Sequence, residues 1–184
     1  MPPTSDIVLR DTQTWLERAV IGLNLCPFAT AVHAKSLVHF AISHASGEAD
    51  LLRDLDTELQ ALVAHDHRLR ATTLLVAPGC LQVFLAFNDF MGVAQRLLRK
   101  RGLEGIVQLA TFHPAYQFAD SEADDVTNFT NRSPYPIIHL LREDSIERAV
   151  RSMPDPAVIY EANIETLRRL GKDGWAALGV GPSA

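Results

Sequence analysis

The fold is decided by two runs, Ile106-Val107-Gln108-Leu109-Ala110-Thr111-Phe112-His113 and Ile137-Ile138-His139-Leu140-Leu141-Arg142, and by what separates them. Apolar residues at Ile106, Val107, Leu109, Ala110 and Phe112 predict a strand that ends at His113. Ile137, Ile138, Leu140 and Leu141 predict a second strand starting after Pro136. The stretch between them, 114–136, shows neither a helical nor a strand period. Connections in compact domains usually run to about 4–6 residues, and longer ones tend to be functional or disordered. This one carries Tyr116, Phe118, Phe129 and Tyr135, and aromatic side chains argue against disorder. The expectation is an ordered surface loop that carries the functional site.

Working outward, Trp15, Leu16, Ala19, Val20 and Leu23 form the apolar stripe of a helix over 11–23, with Thr14 and Glu17 placed as a capping box and Asn24 as its end. Residues 1–6 are expected to be flexible. Leu37–Ser43 alternates, with Val38, Phe40 and Ile42 on one face, which is the period of a half-buried strand. Leu51, Leu52, Leu55, Leu59 and Leu62 space a second helix, introduced by Ser46-Gly47 and running to about His65. Thr72–Ala77 is a short β-branched strand stopped by Pro78-Gly79. Residues 81–101 could open as a strand, but Phe84, Phe87, Met91, Ala94, Leu97 and Leu98 fit a helix ending before Gly102. After the second run, Asp144 and Glu147 can cap a short helix to about Ser152. Asp155-Pro156 then starts a last helix that Gly171 stops. The order predicts a single α/β domain over 1–184, a two-layer-type sandwich with a roughly four-stranded mixed sheet and five or six helices. Strand order cannot be read.

With 47% hydrophobic and 21% charged residues, the chain is built like an ordinary globular protein. A net charge of −5 disfavours a nucleic-acid surface, which needs clustered positive charge. The basic group Arg96, Arg99, Lys100, Arg101 suits the negative end of a helix dipole instead. No run approaches the roughly 18 apolar residues of a membrane helix. The start, Met-Pro-Pro-Thr-Ser-Asp, lacks the features of a secretory signal. Two cysteines, Cys26 and Cys80, make no disulfide framework, so reduced thiols in the cytoplasm are expected.

Three motifs carry a resemblance: Asn24-Leu25-Cys26-Pro27-Phe28, then Phe112-His113-Pro114, then Thr130-Asn131-Arg132-Ser133-Pro134-Tyr135-Pro136 together with His139-Leu140-Leu141-Arg142-Glu143. In these the chain resembles the uncharacterised bacterial domain-of-unknown-function family numbered 1415, over nearly its full length. The resemblance implies a cytoplasmic bacterial protein and brings no activity with it.

Several side chains could carry chemistry. Cys26 is the candidate nucleophile, and a thiol needs its pKa lowered for that role. Just past a helix C-terminus the dipole opposes this; if Pro27 starts a new turn, the sign reverses. Burial as a small hydrophobe is the alternative. His113, where strand meets loop, is the candidate acid or base, or else ties the loop down through backbone hydrogen bonds. Asn128, Thr130, Asn131, Arg132 and Ser133 are the densest set of hydrogen-bonding groups, and Arg132 offers a planar fork suited to carboxylate or phosphate. Together with His139 they are the candidate ligand-binding residues, although Asn, Ser and Pro also form plain turns. Tyr135, Arg142 and Asn163 are expected to brace the site. Parity puts His139 with Ile137 and Leu141, and Arg142 on the other face, where it needs a carboxylate if buried. Asn163 falls in the buried stripe of the last helix, with the central loop as its expected partner. Cys80 is read as structural. No paired metal-ligand spacing occurs, so neither a metal nor another cofactor is expected. The leading expectation is a small anionic ligand, with acid/base or cysteine chemistry if the protein is an enzyme. The rival is a non-catalytic interaction domain that uses the same loop as a recognition surface. Oligomeric state cannot be read.

Overall fold

A computed structural model of the protein describes residues 3–145 and 156–183. Helix α1 spans Ser5–Trp15 and continues into a π-helical turn, Leu16–Ile21. Then follow α2 (Ala29–Ala34), β1 (Val38–Ile42), α3 (Glu48–Ala64), β2 (Thr72–Val76) and α4 (Phe84–Lys100). The chain ends with β3 (Val107–Phe112), a 3₁₀ turn (Val126–Asn131), β4 (Ile137–Arg142) and α5 (Pro156–Ala177). The four strands form one sheet in the order β1-β2-β4-β3. β1 and β2 are parallel, and β4 is antiparallel to both of its neighbours. Three strands therefore point the same way, with β4 reversed between two of them. The α/β sandwich and its four-stranded mixed sheet match the sequence expectation.

Alternation along the strands divides the core between two faces. Leu75, Ile138, Leu140, Val107 and Leu109 meet the leucines of α3 and Phe87, Phe90, Ala94 and Leu98 of α4. On the opposite face Leu74, Val76 and Ile137 meet Val8, Trp15, Ala19 and Val20 of α1 and its π turn, joined by Val180 near the C-terminus. Helices thus cover both faces of the sheet. Gly79, just after β2, lies where a Cβ would come within 2.8 Å of the Ala45 carbonyl oxygen, so a side chain there would push the two loops apart. Gly171 takes φ +68° and puts a non-helical residue inside α5 at the position where the sequence ends that helix.

Several local expectations are corrected. The first helix starts at Ser5 rather than near Asp11, so Ser5 and Asp6 are helical instead of part of a loose end. Thr14 and Glu17 consequently sit inside the helical run and form no capping box: the Thr14 hydroxyl donates back to the Arg10 carbonyl at 2.8 Å. The turn after Trp15 is wound wider, with Gly22 N–H bonded to the Glu17 carbonyl at 2.9 Å. Asn24 ends it with φ +54°, a left-handed conformation that Asn tolerates. The central connection contains the 3₁₀ turn. Of the short helix expected to about Ser152, residues 143–145 are helical and the rest lies outside the described residues, as does Asp155.

Candidate functional site

The 113–136 connection sits at the sheet edge where β3 ends and β4 begins. Its shape comes from polar side chains that bind backbone. Asp125 opens the 3₁₀ turn by accepting the Thr127 N–H and the Thr127 hydroxyl, both at 2.8 Å, and those bonds hold its carboxyl below the usual range. Asn128 is fully buried. Its Oδ1 accepts the Phe118 N–H at 3.0 Å and the Ser121 hydroxyl at 2.6 Å, while its Nδ2 donates to the Glu122 carbonyl at 2.8 Å. The Thr130 hydroxyl donates to the Thr127 carbonyl, and the Ser133 hydroxyl to the Tyr135 carbonyl at 2.6 Å. Asn131 acts on the outer edge of β3: its Nδ2 donates to the Thr111 carbonyl at 3.0 Å and its own carbonyl accepts the His113 N–H at 3.1 Å.

Arg132 is half-buried, and its side-chain partners are carbonyls. Nε donates to Tyr116 at 3.3 Å and Nη2 to Ala123 at 2.6 Å, with the guanidinium carbon 4.6 Å from the centre of the Phe129 ring. Burial lowers its pKa. Trp15 donates Nε1–H to the Arg132 carbonyl at 2.8 Å, which anchors the loop to α1. Lys172 of α5 reaches Asp124 at 3.0 Å from the other side.

His113 is buried between Phe84 and Phe87, with ring centres 5.3 and 5.2 Å away. Its Nε2–H donates to the Leu81 carbonyl at 3.0 Å and its Nδ1 accepts the Ala115 N–H at 3.0 Å. Both ring nitrogens are therefore engaged by backbone, and burial pushes the pKa down, so the ring is neutral. Of its two expected roles, this geometry is that of the loop tie. Leu81, which supplies the carbonyl, holds φ +55°, an uncommon conformation for a bulky residue.

Cys26 lies on the other face of the sheet, half-buried against the α1-side core. Its pKa is raised: burial dominates, and the hydrogen bonds from the Phe28 and Ala29 N–H groups oppose it only in part. Pro27 does start a new turn, but the dipole gain is smaller than the desolvation cost. The structure does not bring Cys26 and His113 together. Cys80 is buried in the core between α3 and α4, as expected of a structural thiol.

His139 shares its face with Ile137, as parity requires, and is half-buried beside Phe112 at 6.1 Å between ring centres. The Thr72 hydroxyl gives its proton to the Leu140 carbonyl at 2.7 Å, so the 2.6 Å contact with His139 is an Nε2–H donation to Thr72. Burial lowers its pKa to about 4. Among the described residues Arg142 finds no carboxylate; it donates to the carbonyls of Leu62, His65 (2.7 Å) and Arg70, closing the C-terminal end of α3. Asn163 bonds the Leu25 carbonyl at 2.9 Å rather than the central loop, which corrects the expected partner. Tyr135 donates its hydroxyl to Asp11 at 2.8 Å. Asp11 was not anticipated. Burial raises its pKa, but bonds from Ser183 and Tyr135 outweigh that and leave it below the ordinary value. The signal was present: with α1 begun at Ser5, Asp11 falls on the same helix face as Val8 and Trp15.

Outside the polar seam, aromatic rings continue from the core to the surface. His113 leads to Phe84, Phe84 to Tyr116 (5.1 Å), Tyr116 to Phe118 (5.1 Å) and Phe118 to Tyr160 (6.4 Å). Val83 and Leu85, beside Phe84 in sequence, are 66% and 72% exposed, and Tyr160 is 54% exposed. Among the described residues, no group of three His, Cys, Asp or Glu side chains is placed to hold a metal ion, and no helix is long and apolar enough to cross a membrane.

No curated protein and no solved structure matches the chain. A family model described as a protein of unknown function (DUF1415) matches residues 7–177, and the chain belongs to that family.

Proposed function

We propose that the protein is a binding domain without catalytic activity of its own, and that the 113–135 loop together with the first turn of α4 is its recognition surface. The observation that carries this reading is the division of labour in the loop. The polar side chains of 128–133 point their hydrogen bonds at backbone, while the apolar and aromatic groups Val83, Leu85, Tyr116 and Tyr160 are left wholly or partly exposed. A stiff surface of this kind spends little entropy on ordering when a partner binds, and aromatic rings supply large contact areas. The partner that fits is an extended or helical segment of another protein with apolar anchors. The test is selection from a displayed peptide library, followed by binding of the selected peptides to Leu85→Asp and Tyr116→Ala. Enriched peptides should share aromatic or aliphatic anchors and bind each variant at least tenfold more weakly. Absence of enrichment, or unchanged affinity for both variants, rules the reading out.

One observation favours a second reading, a small-anion site. Arg132 carries its charge among carbonyls, and among the described residues no carboxylate pairs with it. A phosphate or carboxylate approached by its remaining Nη1, with the second hydrogen of Asn131 Nδ2 as a further donor, would relieve that imbalance. Thermal stabilisation by such anions, lost in Arg132→Ala, is its expected signature. No response across a broad set of anions removes it.

A further inference from the structure

The two outer strands of the sheet are finished differently. On β3, Asn131 takes up the outward carbonyl of Thr111 and the outward N–H of His113, and the Val107 N–H bonds the Leu103 carbonyl. β1 has no such cover. Ser43 N–H bonds the Val76 carbonyl and the Leu37 carbonyl accepts Ala71 N–H, so the odd-numbered residues of this edge face β2. The N–H and C=O groups of Val38, Phe40 and Ile42 therefore point away from the sheet, and none of them has a partner among the described residues. Natural proteins guard such edges with Lys, Pro or a bulge. Val38-His39-Phe40-Ala41-Ile42 has none of these, and its three outward residues are large, apolar and only half-buried.

We propose that β1 is the interface between two copies of this chain, paired antiparallel about a two-fold axis at Phe40. Such an interface is self-complementary. Phe40 pairs with the partner's Phe40, and Val38 with the partner's Ile42. Every outward N–H and C=O of the three residues then meets an opposite group, and the two sheets become one. On the α1-side face, partly exposed Val38, Phe40 and Ile42 cover their counterparts. On the α3-side face the same register sets Ala41 opposite the partner's His39. Beside Ala41 opens a cavity of about 210 Å³, lined by Asp54, Thr57 and Glu58. His39 is 46% exposed and lies 3.7 Å from Glu58 of its own chain; Arg70 already pairs with Glu58, so the carboxylate that each imidazole meets across the axis is Asp54. Charge and hydrogen-bond register agree on the same occupant.

The test is the mass of the full chain in solution, by light scattering over a dilution series. The expected species has twice the 20.3 kDa of one chain. Phe40→Pro removes an N–H that β1–β2 pairing does not use, so it should leave a folded chain at single-chain mass. The register has its own test, independent of that variant. In a Cys26→Ser background, His39→Cys with Ala41→Cys places directly opposed cysteines with Cα atoms about 4.5 Å apart in a non-hydrogen-bonded pair, within disulfide range. Diamide should convert it to a covalent dimer on a non-reducing gel, whereas His39→Cys with Ile42→Cys should stay single. A wild-type chain at single-chain mass throughout overturns the proposal. So does a dimer that survives Phe40→Pro, or one that fails to form the 39–41 cross-link.

Discussion

The layer formed by α3 and α4 and the 113–136 loop both fix the position of the same sheet, by opposite physics. In the layer, Leu51, Leu55, Leu59, Leu62, Phe87 and Phe90 are buried against β2 and β4 and hold chiefly by apolar contact. In the loop, Asn128, Asn131, Arg132 and Ser133 hold by hydrogen bonds to backbone, most of them within twenty residues along the chain. Apolar contact is non-directional and tolerates exchange of one hydrophobe for another. A buried amide with three specific partners does not, because each lost bond leaves an orphaned group behind. The density of polar side chains in the loop is thus first a property of its folding. The lesson is that a polar cluster on a long connection has to be checked for backbone partners before it is taken as a binding site.

Three substitutions or titrations separate the two regions, beginning with the strongest. Phe87→Ala opens the apolar layer and removes the ring against which His113 packs at 5.2 Å. It should cost about 3–5 kcal/mol, measured by urea unfolding, as for other fully buried aromatic residues. A loss under about 1 kcal/mol would mean that the layer collapses around the gap. Asn128→Ala is the matching cut in the loop. It leaves the Phe118 N–H and the Glu122 carbonyl without their partner, for an expected loss of about 1–3 kcal/mol. Hydrogen exchange should show the effect concentrated at 116–131, with the strands protected as before. Uniform loss of protection over the sheet would erase the distinction drawn between loop and layer.

How far each region could be read from sequence follows from the same physics. The leucines of α3 repeat at helical spacing, and the alternation in β4 correctly separates His139 from Arg142 by face. Periodicity is local, so it survives in one dimension. The ambiguous 81–101 stretch was settled by the long window from Phe84 to Leu98, which only a helix buries on one side. Hydrogen-bond partners are not local. Nothing near Asn163 in sequence points to Leu25, nothing near Arg142 to the carbonyls closing α3, and nothing near Asp11 to Tyr135 and Ser183. The site residues were therefore legible as polar and expected to be ordered, while their roles were not. The loop was legible as a connection between two strands; its position at the sheet edge follows from the strand order, which the sequence does not carry.

At neutral pH the smallest expected effect belongs to His139, which lies between the two regimes: a polar group on an apolar face, half-buried and bonded to Thr72. Its pKa falls from the ordinary 6.5 to about 4 because burial penalises the charged ring. The unfolded chain takes up a proton as pH drops below about 6.5, while the folded ring stays neutral to about 4, so folding stability declines across that window and levels off beneath it. His113, also lowered by burial, adds a decline of the same sign. His139→Gln should therefore flatten the urea midpoint against pH between about 6.5 and 4 without abolishing its slope. Asp11 does not confuse the reading, since its carboxyl lies below 3.8 and loses its contribution only in stronger acid. An unchanged slope in His139→Gln would place the ring in water-like surroundings. The open part of that face would then behave as solvent-exposed surface and not as core.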